Sequence, residues 1–272
     1  MSHTPLEILH PEPLPQGTLR AAVFDFDGTF STLRCGWENV MRPLMLEVIS
    51  GGKPFDPALE DKVNAYIDAS TGIQTVYQMH WLAEQAEAAG TGSPQRDMWW
   101  YKAEYNRRLM EQIHTRIARL ESGEDTPEQY LIAGAVEFLH ALKSAGIDVY
   151  LASGTDHKDV LREATILGVA DCFTAIQGAP EHQAACSKEA VLKMLLEEKH
   201  LAGEELLLVG DGKVEIALGA EIGAYTIGAA TNEAARRGVS PVKRDRLIKA
   251  GADIIVGDFE NLPALLNWLS LR

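Results

Sequence analysis

Asp25 and Asp27 close a short apolar run in "AAVFDFDGTF", residues 21–30, with Gly28 and Thr29 directly behind them. Two carboxylates ending a buried-looking strand are costly without a partner. Their chemistry suggests one. An aspartate at a strand end can act as a nucleophile and carry a phosphoryl group. A second acid two positions on can protonate a leaving group and then activate water. Residues i and i+2 of a strand share a face, so the strand must break for Asp27 to swing over a ligand, and Gly28 permits that turn. Taken alone, the same residues also read as an ordinary Asp-Gly turn.

Further residues fit the same chemistry. Ser153 in "LASGT" can donate its hydroxyl to a phosphate oxygen. Lys188 opens a helical segment, where the ammonium and the backbone dipole together favour an anion. Lys193 competes with it but lies mid-helix. Asp211 in "LLLVGDG" ends another strand and is a natural metal ligand. Glu215, one helical turn on, could bind a metal-held water or orient Asp211. Clustered acids repel, so a divalent cation is expected, and oxygen ligands beside a phosphoryl substrate suit Mg²⁺. Each feature singly has a bland reading: a turn at Ser153, a solvated Lys188, a helix cap at "GDGKVE". Their joint occurrence at successive strand ends favours the chemical one.

The elements that must position these residues follow from periodicity. Residues 19–25 read as a buried strand. From residue 33 to 122 the spacing turns helical, as in "VNAYIDAS" and "IQTVYQMHWLAEQAEAAG", with loops at "SGGKPFDP", "GTGSP" and "ESGEDTP". After Pro127 helices alternate with the strands "IDVYLAS", "ELLLVGD", "AYTIGAA" and "ADIIVGD". Such alternation predicts an α/β fold, a doubly wound parallel sheet covered on both faces. Residues 1–32 and 123–272 then form the core, and 33–122 a helical unit inserted after the first strand. Ligands of open parallel sheets bind beyond the carboxyl ends of the strands, which brings Asp25, Ser153 and Asp211 to one edge.

The chain has 272 residues, enough for one large domain or two modest ones. Its formal charge of −14 argues against a broad nucleic-acid-binding face. A small anionic substrate remains compatible, because local cations and a metal can outweigh the global field. Cys35, Cys172 and Cys186 form neither a CxxC pair nor a disulfide framework, as suits a reducing compartment. The first eighteen residues carry four of the twelve prolines and are expected to form an irregular arm. Neither a secretory leader nor a membrane span is legible, so a cytoplasmic location is the expectation.

In these residues the chain resembles the haloacid dehalogenase-like superfamily. Its DxDGT motif matches Asp25-Phe26-Asp27-Gly28-Thr29, its Ser/Thr motif Ser153, its Lys/Arg motif Lys188, and its GDxxx[DE] motif Gly210-Asp211 through Glu215. The resemblance implies a Rossmann-like core with an all-α C1 cap and Mg²⁺-dependent phosphoryl transfer through an aspartyl-phosphate on Asp25. Asp27 would be the acid/base, its backbone carbonyl on the metal. Asp25, Asp27, Asp211 and Glu215 are thus the expected metal residues. Thr29, Ser153, Gly154, Lys188 and Arg34 are the expected phosphate- and substrate-binding ones. Dehalogenase relatives lack the second acid, and phosphonate-cleaving ones carry a small residue there with a Schiff-base lysine in the cap. Asp27 therefore favours a phosphate ester. Glu215 departs from the Asp found in many relatives.

A capped site favours small metabolites, a sugar or organic-acid phosphate, over macromolecules. Arg34 could clamp an anion, or pair with a nearby acid. Trp37 could stack on a ring, or pack the hinge. Trp99, Trp100 and Tyr101 cannot all face inward on one helix, which leaves one for the cleft or for a homodimer contact. Thr155, Asp156 and His157 could border the pocket, while "KRDR", 243–246, reads as a solvated helix face. The alternatives are a phosphomutase, a phosphonate hydrolase using Lys53 or Lys102, and a non-catalytic binding protein.

Overall fold

The computed structural model describes residues 6–10, 18–181, 183 and 187–271. Cys186 and much of the proline-bearing arm lie outside them. The chain begins with β1 (Glu7–Ile8) and β2 (Ala21–Phe24), followed by helices α1 (Glu38–Ser50), α2 (Pro57–Ala69), α3 (Thr75–Ala88) and α4 (Met98–Glu121). There follow α5 (Ala135–Ser144), β3 (Asp148–Asp156), α6 (His157–Ile166), β4 (Ala175–Ala179) and α7 (Ser187–Lys193). The last elements are β5 (Leu206–Gly210), α8 (Lys213–Ile222), β6 (Tyr225–Ala229), α9 (Pro241–Ala250), β7 (Ile254–Val256) and α10 (Leu262–Trp268).

The strands form one sheet in the order β1-β7-β6-β5-β2-β3-β4. All neighbours are parallel except β1, which runs antiparallel to β7. β2 is central, and its four residues are buried. Ala22 and Phe24 point to one face, among Phe138, Leu151 and Val209. Ala21 and Val23 point to the other, among Leu192, Leu195 and Leu208. A strand covered on both faces needs an unbroken apolar run, and "AAVF" supplies it.

The sheet has two strands that periodicity did not disclose. β4 contains Gly178 and has a half-exposed pattern, so no alternation marks it. β1 is two residues long and lies within the arm expected to be irregular; its backbone pairing with Ile254 and Ile255 orders it. Beyond α7 the helix continues as a π-turn over Met194–Glu198.

Helices α1–α4 pack around their own apolar cluster, including Met41, Met45, Met79, Leu82, Tyr105 and Ile113. The chain enters and leaves this helical unit through two adjacent segments. Thr32 donates its backbone N–H to Tyr130 at 2.7 Å, and Ile132 donates to Phe30 at 3.0 Å. Among the described residues no helix is long and apolar enough to cross a membrane.

Candidate active site

Because β2 lies between β3 and β5, its end brings three chemical groups together. Phe24 is in register with Leu151 of β3 and Val209 of β5. Asp25 follows immediately, its N–H held by the Val209 carbonyl at 2.8 Å. Ser153 and Asp211 lie just beyond the matching positions on the neighbouring strands. Here the sheet order changes direction, which opens a crevice beyond the strand ends. The cleft is lined by Asp25, Asp27, Arg34, Ser153, Gly154, Thr155, Lys188, Asp211 and Glu233 from below, and by helical-unit residues from above.

Gly28 makes the turn after Asp27 with φ of +75°, a conformation that suits glycine. It is also a close approach: a Cβ there would lie 2.3 Å from Asp211 Oδ2. Beyond the turn, Thr29 is wholly buried, its Oγ1 has no hydrogen-bond partner, and it does not line the cleft. The turn carries its side chain beneath the loop. Thr29, expected among the phosphate-binding residues, does not bring its side chain to the cleft.

The Asp27 carboxylate accepts a hydrogen bond from Thr155 Oγ1 at 2.8 Å, while its Oδ1 is buried without a hydrogen-bond partner. That free oxygen faces Arg34 Nε at 3.9 Å. Burial raises the Asp27 pKa above the ordinary carboxylate range, against the charge of Arg34 and the Thr155 hydrogen bond. An acid so placed can keep a proton and has an oxygen free to deliver it.

Lys188, on the first turn of α7, reaches into the centre of the site. Its Nζ lies 3.1 Å from Asp25 Oδ1 and 2.7 Å from Glu215 Oε2. Burial works against its charge, yet the fields of Asp25 and Glu215 prevail and hold it protonated beyond the usual lysine range. Lys193 is exposed and, among the described residues, pairs with Glu197 alone. Burial likewise raises Asp25 well above the usual carboxylate range, opposed by Lys188 and reinforced by Glu215, Asp211 and Asp27.

Asp25, Asp211 and Glu215 each offer one oxygen, and these oxygens lie within 4.8 Å of one another. The donors are all carboxylate oxygens, and acids outnumber cations around them. Such a hard, anionic set fits Mg²⁺. The Asp27 side chain is not among them; it faces Thr155 and Arg34. Glu215 has other partners too: its Oε1 accepts the Gly212 N–H at 2.6 Å, which ties the first turn of α8 to the Asp211 loop.

The packing bears on Arg34 and on the "KRDR" run. Arg34 lines the cleft, but Glu163 takes its guanidinium in a two-pronged contact, with Nη2 to Oε1 at 2.6 Å and Nε to both oxygens at 3.1 and 3.2 Å. Asp159 is 3.7 Å away. Its charge is therefore compensated before any ligand arrives. The "KRDR" run is not a solvated face throughout. Lys243 turns inward, with its Nζ 2.6 Å from both Asp211 Oδ2 and Glu233 Oε1. Arg246 spans Asp68 at 3.1 Å and the Asp211 carbonyl at 3.2 Å.

Among the aromatics, Trp37 lines the cleft while also packing against the helical cluster. Tyr101 is buried and Trp100 is exposed, and neither reaches the cleft; Tyr105, one turn on, does. Of the residues after Ser153, Thr155 borders the cleft. Asp156 is taken by Lys102 and Asn106, and the His157 ring accepts the Gly178 N–H. The α2–α3 loop, "STGIQ", had no assigned role in sequence. It sits over the strand ends, where Gly72 offers its carbonyl to Lys188 at 3.5 Å. A glycine between two helical runs was its one signal.

Solved structures with this fold include a predicted phosphoglycolate phosphatase from Haemophilus somnus 129PT, with a TM-score of 0.62 at 16% identity over 92% of this chain and 99% of that one. A β-phosphoglucomutase from Clostridium difficile gives 0.63 at 16% identity over 93% and 97%. CbbY from Rhodobacter sphaeroides, in complex with phosphate, gives 0.54 at 18% over 90% and 96%. At such identities the likeness concerns the fold. A search of curated proteins returns no match. The family model for haloacid dehalogenase-like hydrolases matches residues 19–223, a span that starts before Asp25 and ends after Glu215. With the sheet order and the acids at its strand ends, that match makes this chain a member of the haloacid dehalogenase-like hydrolases.

Proposed function

We propose that the chain is a Mg²⁺-dependent phosphatase of a small phosphorylated metabolite, acting through a phosphoryl group carried on Asp25. The observation that carries this reading is the meeting of Asp25, Lys188 and Asp211 beneath Asp27, whose free oxygen faces the same cleft. An Asp25 oxygen attacks phosphorus, the bond to the leaving oxygen breaks, and Asp27 gives that oxygen its proton. Asp27 then takes a proton from water, which attacks the phosphoryl group and releases phosphate and free Asp25. Lys188, the Ser153 hydroxyl and the Gly154 segment hold the phosphoryl oxygens. Asp25, Asp211, Glu215 and the backbone at Asp27 would hold Mg²⁺, which supplies neutralisation of the developing charge.

The helical unit supports a small substrate, because its α2–α3 loop covers the strand ends. No lysine of the helical unit lines the cleft among the described residues, and Lys102 is committed to Asp156. A Schiff-base route to phosphonate cleavage therefore lacks its amine. The decisive test is release of phosphate from p-nitrophenyl phosphate with and without Mg²⁺. Asp25→Asn should abolish it and leave the melting transition cooperative. Persistent activity in that variant would sink the mechanism. Conversion of a hexose 1-phosphate to the 6-phosphate without phosphate release would instead identify a mutase.

A further inference from the structure

The charge pattern of the cleft bears on what alcohol the phosphate is attached to. The wall above the strand ends is built by Trp37, Thr71, Thr75, Gln78, Tyr105 and Leu109, and none of these is charged. The cations that line the cleft are already engaged: Lys188 by Asp25 and Glu215 in the phosphoryl half, Arg34 by Glu163. Around Arg34 lie Asp27, Asp159 and Glu163. Glu233 and Asp211 face the same space from the other side. A leaving group with its own carboxylate or second phosphate would find Asp211 and Glu233 paired with Lys243 and Arg34 paired with Glu163, and no uncompensated cation among the described lining residues to receive it. A site without a free cation discriminates against a second anion, because that anion would be desolvated with nothing to pair it.

The same wall carries an unused polar group. Tyr105 is only 4% exposed and packs its ring within the α1–α4 cluster. It lines the cleft, and its hydroxyl makes no hydrogen bond to any other described residue. Thr71 and Gln78 on the same wall are less available. Thr71 Oγ1 already donates to the Ile67 carbonyl at 3.0 Å, and Gln78 Nε2 to Ser70 Oγ at 3.1 Å. A buried phenol can both donate and accept, and it normally finds a partner. The partner missing here is one that a ligand would bring.

We infer that the substrate is the phosphate monoester of an uncharged, hydroxyl-bearing alcohol, a polyol or sugar rather than an organic acid, and that Tyr105 hydrogen-bonds a hydroxyl of its leaving group. This rests on the phosphatase reading above and narrows it. Binding pairs the Tyr105 hydroxyl with a substrate hydroxyl. An organic-acid phosphate would instead bring a carboxylate to a wall that holds no free cation.

The test compares kcat/KM for matched phosphates on the intact protein with Mg²⁺. Glycerol 3-phosphate and 3-phosphoglycerate differ by CH₂OH against carboxylate, as do sorbitol 6-phosphate and 6-phosphogluconate. A straight-chain alkyl phosphate lacks the hydroxyls altogether. The neutral member of a pair should exceed its carboxylate counterpart by about a hundredfold or more. Tyr105→Phe should lower the ratio of polyol to alkyl phosphate by about tenfold, chiefly through KM. A merely structural role for Tyr105 would depress both substrates alike and leave that ratio unmoved. Equal or better turnover of the carboxylate members would overturn the inference while hydrolysis of p-nitrophenyl phosphate keeps the phosphatase reading standing. An unmoved ratio in Tyr105→Phe would overturn the assignment to Tyr105. Absence of hydrolysis of every phosphate, p-nitrophenyl phosphate included, would remove both.

Discussion

Gly72 and Gly212 lie face to face across the junction of helical unit and sheet. A Cβ on Gly212 would sit 3.0 Å from the Gly72 Cα, and one on Gly72 would sit 3.2 Å from the Gly212 Cα. Gly212 leads into α8 from the Asp211 loop, while Gly72 belongs to the α2–α3 loop and has φ of +90°. The two loops can close the cleft only because neither carries a side chain there.

Gly212→Ala tests that closure without backbone strain, since the Gly212 φ of −94° suits alanine. The new methyl meets Gly72 and the Glu215 carboxylate and holds the loops apart. Displacements of about an ångström at a reacting centre can cost on the order of 10²-fold. We expect kcat/KM to fall by that order while the melting temperature moves by only a few degrees (roughly 1 kcal/mol of stability). Steady-state kinetics beside a thermal melt decide it.

Lys188 is the cation on which the site's acids depend. Lys188→Met leaves Asp25 and Glu215 buried without their shared partner. Breaking a buried ion pair by removing one member costs about 3–5 kcal/mol. Urea denaturation in EDTA should show that loss, and saturating Mg²⁺ should recover part of it. An unchanged midpoint in EDTA would contradict the pairing.

Lys243 holds one oxygen of Asp211, a carboxylate that a divalent cation would also use. The paired substitution Lys243→Met with Glu233→Gln removes the competitor without stranding Glu233. Apparent Mg²⁺ affinity measured by calorimetry should tighten by about tenfold. Weakened binding would instead make Lys243 a support for the metal loop.

The hydroxyl of Thr155 works against the burial that raises Asp27. In Thr155→Val that restraint is lost, and the Asp27 pKa should rise further. A general acid must be protonated, so the alkaline fall of kcat/KM should move to higher pH, with the acidic limb little changed. A shift to lower pH would show that Thr155 serves another group. The same sign governs stability. A carboxyl whose folded pKa is raised favours the folded state at low pH, and that contribution is lost as pH rises through the folded pKa.

What was legible in the sequence was what the chain writes locally. Asp25, Ser153 and Asp211 each end an apolar run, and the rule for open parallel sheets then unites them. β4 was not legible because an edge strand with Gly178 in it has no burial alternation to display. Lys243 was misread because "KRDR" has the composition of a solvated face. Only the absence of a side chain at Gly28, far away in sequence, makes room for its ammonium beside Asp211. Tyr105 and Gly72 belong to helical surroundings without any motif, where role depends on which way a helix is rolled against the sheet.

The paired entry and exit of the helical unit has a consequence for how the chain folds. Thr32 and Tyr130 touch although they are 98 residues apart, and β2 can pair with β3 only once that span has been closed. Distant strand pairing is slow because the chain entropy is lost before the contacts form. Helices α1–α4 can condense on contacts within their own segment, and in doing so they bring Thr32 to Tyr130. A roof that formed first on its own contacts would act as a clasp, shortening the effective chain between the two strands whose ends carry Asp25 and Ser153.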